Sequence, residues 1–147
     1  MPMSQLLFSF SGRVNRRPYW LTSIAMLLLI VILVAIVFML MDVSLSLFVV
    51  LGVLYIPLLW IAFAIGAKRL HDRDKSAWWL LLFYILPSIL SNVADSTSGL
   101  GILLWLISTA LSIWAFVELG CLRGTVGPNR FGPDPLQAAS VTAAVAA

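Results

Sequence analysis

His71 and Asp72 stand side by side in the densest polar run of the chain, Gly66 to Trp79, which reads GAKRLHDRDKSAWW. An imidazole beside a carboxylate has the groups needed for acid–base chemistry near neutral pH, or for ligating a metal. A metal needs further ligands at compatible spacing, and Asp72, Asp74, Glu118 and Cys121 are the candidates. Neither HExxH nor CxxC occurs, and a lone cysteine makes no disulfide framework. No metal, cofactor or enzymatic activity is therefore expected. A membrane-embedded enzyme using His71 and Asp72 ranks last of three functional readings.

Glu118 is the other residue that asks for chemistry, because it ends a long apolar run where an unpaired carboxylate is expensive. Arg69, Arg73 or an N-terminal arginine is its expected partner. A proton relay would need ionisable groups deeper in the apolar segments, and none is there. Within the central run, Asp72 lies three and four residues from Arg69 and Lys68. If the helix persists that far, both can neutralise it.

The elements that must position these groups are apolar. Of 147 residues 62% are hydrophobic and 10% charged, with mean hydropathy +1.07, against roughly a quarter charged in soluble domains. Lipid must be the solvent. Four spans are expected, over Tyr19–Met41, Leu45–Ala67, Trp78–Val93 and Leu100–Cys121. Pro57 interrupts the second span, and Pro87 the short third one. Ala62 and Gly66 make a small-xxx-small pair, while Ser108, Ser112 and Ala115 form a packing seam. Asp42 to Ser44 form a tight exit, and Ser91 to Gly99 has turn composition. The expected organisation is one membrane domain over residues 1–135 and a disordered tail over 136–147.

Sorted by four spans, all nine Lys and Arg fall on one side, and the other side receives only Asp42 and Asp95. The positive-inside rule makes that side cytoplasmic, with both termini and the central motif on it. Leu6, Leu7, Phe8 and Phe10 before Arg13, Arg16 and Arg17 suit a segment at headgroup level. Basic residues placed beside spans argue against nucleic acid, despite a net charge of +3.

Three stretches carry a resemblance. They are Phe10-Ser11-Gly12-Arg13 through Arg16 to Tyr19-Trp20, Arg69-Leu70-His71-Asp72 through Ser76 to Trp79, and Gly127 to Pro135, reading GPNRFGPDP. In this order, from about Phe8 to Pro135, the chain resembles the domain of unknown function 805 family of small bacterial inner-membrane proteins. Relatives often have glycine at Ala77 and tyrosine at Phe131, both mild departures. The resemblance implies a polytopic helical protein of the bacterial inner membrane and supplies no activity.

The expected fold is thus an all-α four-helix transmembrane bundle, multi-pass, with a cytoplasmic cap. Arg13, Arg16, Arg69, His71, Asp72, Trp78, Trp79, Glu118, Asn129 and Phe131 are the candidate cap residues. The leading expectation is a non-enzymatic module whose cap binds anionic membrane lipid or a membrane-protein partner. An oligomeric small channel or transporter component is the alternative, and a homo-oligomer is compatible with either.

Overall fold

A computed structural model of the chain describes residues 2–40, 45–97 and 99–137. The expected exit at Asp42–Ser44 and the tail beyond Gln137 lie outside the described residues. Five α-helices follow one another: α1 Met3–Phe8, α2 Arg16–Leu40, α3 Leu45–Asp72, α4 Leu86–Ser96 and α5 Gly101–Phe116. A π-helical turn, Leu81–Ile85, leads into α4, and a second, Val117–Cys121, closes α5. Among the described residues the only bridge of strand type is Asn129 with Gly132.

Helices dominate because a chain in lipid must satisfy its backbone internally. α2 is apolar all round, and only 6% of its most apolar window is buried against protein, so its surface is left to lipid. It begins at Arg16, three residues before the expected start. The Asn15 carbonyl accepts the Tyr19 amide, and Pro18 is tolerated in a first turn whose N–H groups have no helical partner. α3 runs unbroken past Pro57 and one turn beyond the expected end, to Asp72. His71 and Asp72 are therefore helical.

Among the described residues three helices are long and apolar enough to cross a membrane: Arg16–Met39, Phe48–Asp72 and Gly101–Cys121. The fourth apolar helix, Leu81–Ser96, is shorter, about 24 Å against a hydrocarbon core of about 30 Å. It also corrects the expected turn at Ser91 to Gly99. Ser91, Asn92, Ser96 and Thr97 donate to carbonyls three or four residues back, so polar side chains cap the helix rather than ending it. Its π turn lies just before Pro87, which has no N–H to offer the preceding turn.

The helices pair as two hairpins, α2 with α3 and α4 with α5, while α1 lies on α3. Ser108 Oγ donates to the Pro87 carbonyl at 2.7 Å, so the serine seam joins α5 to α4. The hairpins meet near one end, where Ala67, Leu70, Leu80, Phe83, Ala115 and Leu119 form a buried cluster. Gly66 sits there with Leu80 and Tyr84 so close that a Cβ would come within 2.9 Å of each. Elsewhere, among the described residues, α2 and α3 make no close backbone approach to α4 or to α5 before its π turn.

Candidate functional site

The end where the hairpins meet is also where the polar residues collect. Asp72 is at its centre, 2% exposed. Arg69 reaches it from one turn back, Nη1 to Oδ2 at 2.6 Å. Arg13 arrives from the N-terminal segment and donates from Nε and Nη2 to Oδ1, at 3.2 and 3.1 Å. One buried carboxylate thus faces two buried guanidiniums, a stable arrangement only if every remaining donor is used.

They are used on backbone carbonyls of two other segments. Arg13 Nη1 donates to the Gly127 and Gly132 carbonyls at 2.7 and 3.2 Å, and Nη2 to the Thr125 carbonyl at 2.7 Å. Arg69 Nε donates to the Leu119 carbonyl at 2.7 Å, and Nη2 to the Leu122 carbonyl. Arg16 donates to the Cys121 carbonyl and Trp20 Nε1 to that of Gly120, at 3.0 and 3.1 Å. The last carbonyls of α5, exposed by its terminal π turn, are thus capped from α2 and α3.

The C-terminal turns fold over α3. Thr125 donates its amide to the Asp72 carbonyl at 2.8 Å, and Asn129 Nδ2 donates to the His71 carbonyl at 2.8 Å. Phe131 stacks on the His71 ring, centroids 3.9 Å apart and planes 6° from parallel. His71 Nδ1 faces the Gly12 carbonyl at 3.2 Å and must carry the proton to donate there. Asp134 accepts the Leu136 and Gly127 amides at 2.9 and 3.0 Å. Those two amide bonds hold its carboxyl below the usual carboxylate range.

Glu118 forms a second centre, with Arg73 Nε at 3.0 Å and Lys75 Nζ at 2.8 Å. Arg73 is one of the expected partners, whereas Arg69 turns to Asp72 instead and Lys75 was not foreseen. Lys75 also sits over the Trp79 ring, 4.7 Å from its centroid.

Two expectations are corrected. Lys68 does not pair with Asp72, because its ammonium points to α1 and donates to the Gln5 carbonyl at 2.7 Å and to that of Leu6. Both carbonyls lie in the last turn of α1, where that of Gln5 also accepts the Ser9 amide at 3.3 Å. Trp78 does not join the cap and is 77% exposed, while Trp79 packs on Phe83 and Trp114. Arg13, Arg69, His71, Asp72, Asn129 and Phe131 therefore form one cluster, with Arg16 at its rim and Glu118 beside it.

Sequence reasoning missed Thr125 and Gly124. A Cβ at Gly124 would overlap the Asp72 carboxylate, so only glycine lets the strand pass. The glycine-rich composition after Arg123 was a signal for turns but not for this approach. Asn15 Oδ1 is the one buried side-chain oxygen left without a donor among the described residues. Those residues also contain no group of three or more His, Cys, Asp and Glu able to hold a metal.

Apolar helices capped at one end by a buried polar cluster define a small helical membrane protein. The chain belongs to the family described as Protein of unknown function (DUF805), whose model matches residues 7–133. It is similar to "Inner membrane protein YhaH" of Escherichia coli K12, 35% identical over 135 residues and covering 86% of each chain. "Uncharacterized protein YiiR" of the same strain is 30% identical, over 91% of this chain and 90% of its own. "Inner membrane protein YhaI" is 31% identical, over 86% and 85%. No solved structure matches the chain. With these relatives, the apolar helices place it in a bacterial inner membrane.

Proposed function

We propose that this protein is a non-enzymatic membrane module whose polar cap, on the cytoplasmic side, engages anionic lipid or a membrane-protein partner. The observation that carries the reading is the distribution of charge. All nine Lys and Arg gather at the end where the hairpins meet, against four carboxylates there, Asp72, Asp74, Glu118 and Asp134. Buried members are consumed by internal pairs, yet the side chains of Arg17 and Arg123 have no hydrogen-bonding or ion-pairing partner among the described residues and are exposed. Unmatched cations beside spans attract anionic headgroups on the cytoplasmic leaflet. A non-enzymatic role is supported by the use of both Asp72 oxygens and of His71 Nδ1 in holding segments together.

Gentle extraction followed by mass spectrometry of bound components tests the function. Anionic phospholipid enriched over the bulk membrane, or one recurrent protein, is expected; bulk lipid composition with no partner contradicts the reading. Topology is tested separately in a Cys121→Ser background. Cysteines at Asp42 and Ser96 should react with impermeant thiol reagents outside intact cells, and those at Ser76 and Gln137 should not. Outside labelling at position 76 rules out the cytoplasmic cap.

A further inference from the structure

Arg17 and Pro18 line two cavities at once. One is a polar cleft of about 520 Å³ with Arg16, Arg17 and Arg123 on its walls. The other is an apolar groove of about 680 Å³ between α1, α2 and α3, walled by Leu6, Leu7, Leu21, Ala25 and Leu29. The two therefore adjoin, a charged compartment leading into a hydrocarbon one. From Pro18 to Leu29 the groove follows α2 for about 17 Å, a length suited to an extended acyl chain.

We propose that cleft and groove together hold one anionic glycerophospholipid, its phosphate among Arg16, Arg17 and Arg123 and one acyl chain along the α1–α2–α3 groove. This deepens the function proposed above and rests on it. Asp72 and Asp134 also line the cleft, but neither forms an ion pair with these three arginines. Asp72 is engaged by Arg13 and Arg69, and Asp134 by two backbone amides. The cleft keeps an excess of positive charge, which favours an anionic phosphate and opposes the cation of a choline headgroup. A soluble phosphate would leave the groove unexplained; a lipid uses both compartments. The groove is also a built feature, because Lys68 holds the Gln5 and Leu6 carbonyls and fixes α1 as its wall.

The test uses the full chain, delipidated in mild detergent and titrated with phosphatidylglycerol, its dihexanoyl analogue and phosphatidylcholine, with occupancy read by native mass spectrometry. One long-chain phosphatidylglycerol should be retained, and phosphatidylcholine should not. The double variant Arg17→Gln/Arg123→Gln should weaken that affinity about twenty-five-fold, at roughly fivefold for each cation. Ala25 is exposed in the groove, so Ala25→Phe fills the chain path without disturbing packing. It should weaken the long-chain lipid roughly tenfold, the cost of forcing a side chain into an occupied path, and leave the dihexanoyl analogue unchanged; Ala25→Leu should fall between. Unaltered thermal unfolding of each variant keeps the comparison to binding. If Ala25→Phe has no effect, or the short-chain analogue binds as tightly as the long, the chain site is overturned while the anionic-lipid reading stands. Equal binding of phosphatidylcholine and phosphatidylglycerol overturns both.

Discussion

The two ends of α3 differ as much as two proteins might. At one end Lys68 and Arg69 are fully buried, and at the other Phe48, Val53 and Ile56 are each more than 60% exposed. In water this would be an inverted protein. In lipid the difference has a simple cause: apolar side chains gain little by leaving acyl chains for one another, whereas a guanidinium gains every hydrogen bond it makes. The bundle is accordingly joined where it is polar, by arginines donating to carboxylates and to free helix-end carbonyls. Its apolar lengths associate as hairpins and diverge.

The largest test of this contrast sets Asp72 against Ile56. Asp72→Asn leaves two buried guanidiniums facing a neutral side chain and should destabilise by about 3–5 kcal/mol. Ile56→Ala, on a lipid-facing surface, should cost about 0.5 kcal/mol or less. Thermal unfolding in detergent gives the comparison. Hydrogen exchange in nanodiscs should show Asp72→Asn loosening residues 8–17 and 124–135 as well as its own loop, since Arg13 and Thr125 both bond to Asp72. Exchange altered only over residues 66–79 would mean that the segments dock independently.

How far this contrast was legible in the sequence follows from what each contact is made of. Membrane location, the all-α bundle and the three long helices were legible, because lipid imposes length and hydropathy on a span. Glu118 with Arg73 was also within reach, since a buried charge needs a counter-charge. What escaped were bonds to backbone carbonyls. The Lys68 side chain had Asp72 four residues away, yet the carbonyls ending α1 took its ammonium, and Arg13 took the vacant side of Asp72. Every residue has a carbonyl, so no residue type announces such a partner. Trp78 misled for a different reason: aromatic pairs at a span's start look alike in sequence, and only Trp79 turns inward.

A middle-sized effect is expected at Glu118, whose partners are partly exposed while it is buried. Glu118→Gln keeps a hydrogen-bond acceptor and should cost about 1 kcal/mol. Glu118→Lys places a third cation against Arg73 and Lys75 and should cost about 3 kcal/mol. Comparable melting of the two variants in detergent would show that water reaches this site freely, and that the second polar centre is weaker than the first.

The smallest effect should be the pH response of the C-terminal turns. Amide bonds from Leu136 and Gly127 lower the Asp134 pKa, so the folded carboxyl releases its proton more readily than the unfolded one. The sign follows from linkage: this contribution is complete above the unfolded value of about 3.9 and is lost as pH falls through the lower folded value. The part of the Phe131 docking on His71 that Asp134 supplies should therefore hold from neutral pH to about 5 and be lost further into acid. Asp134→Asn should weaken docking at neutral pH and remove that part of the acid response. A fluorinated phenylalanine at position 131, followed by fluorine NMR against pH, compares the two chains directly. Identical profiles would show that the Gly127 and Leu136 amides hold the turn equally well on a neutral side chain, so that the charge of Asp134 adds nothing to the docking.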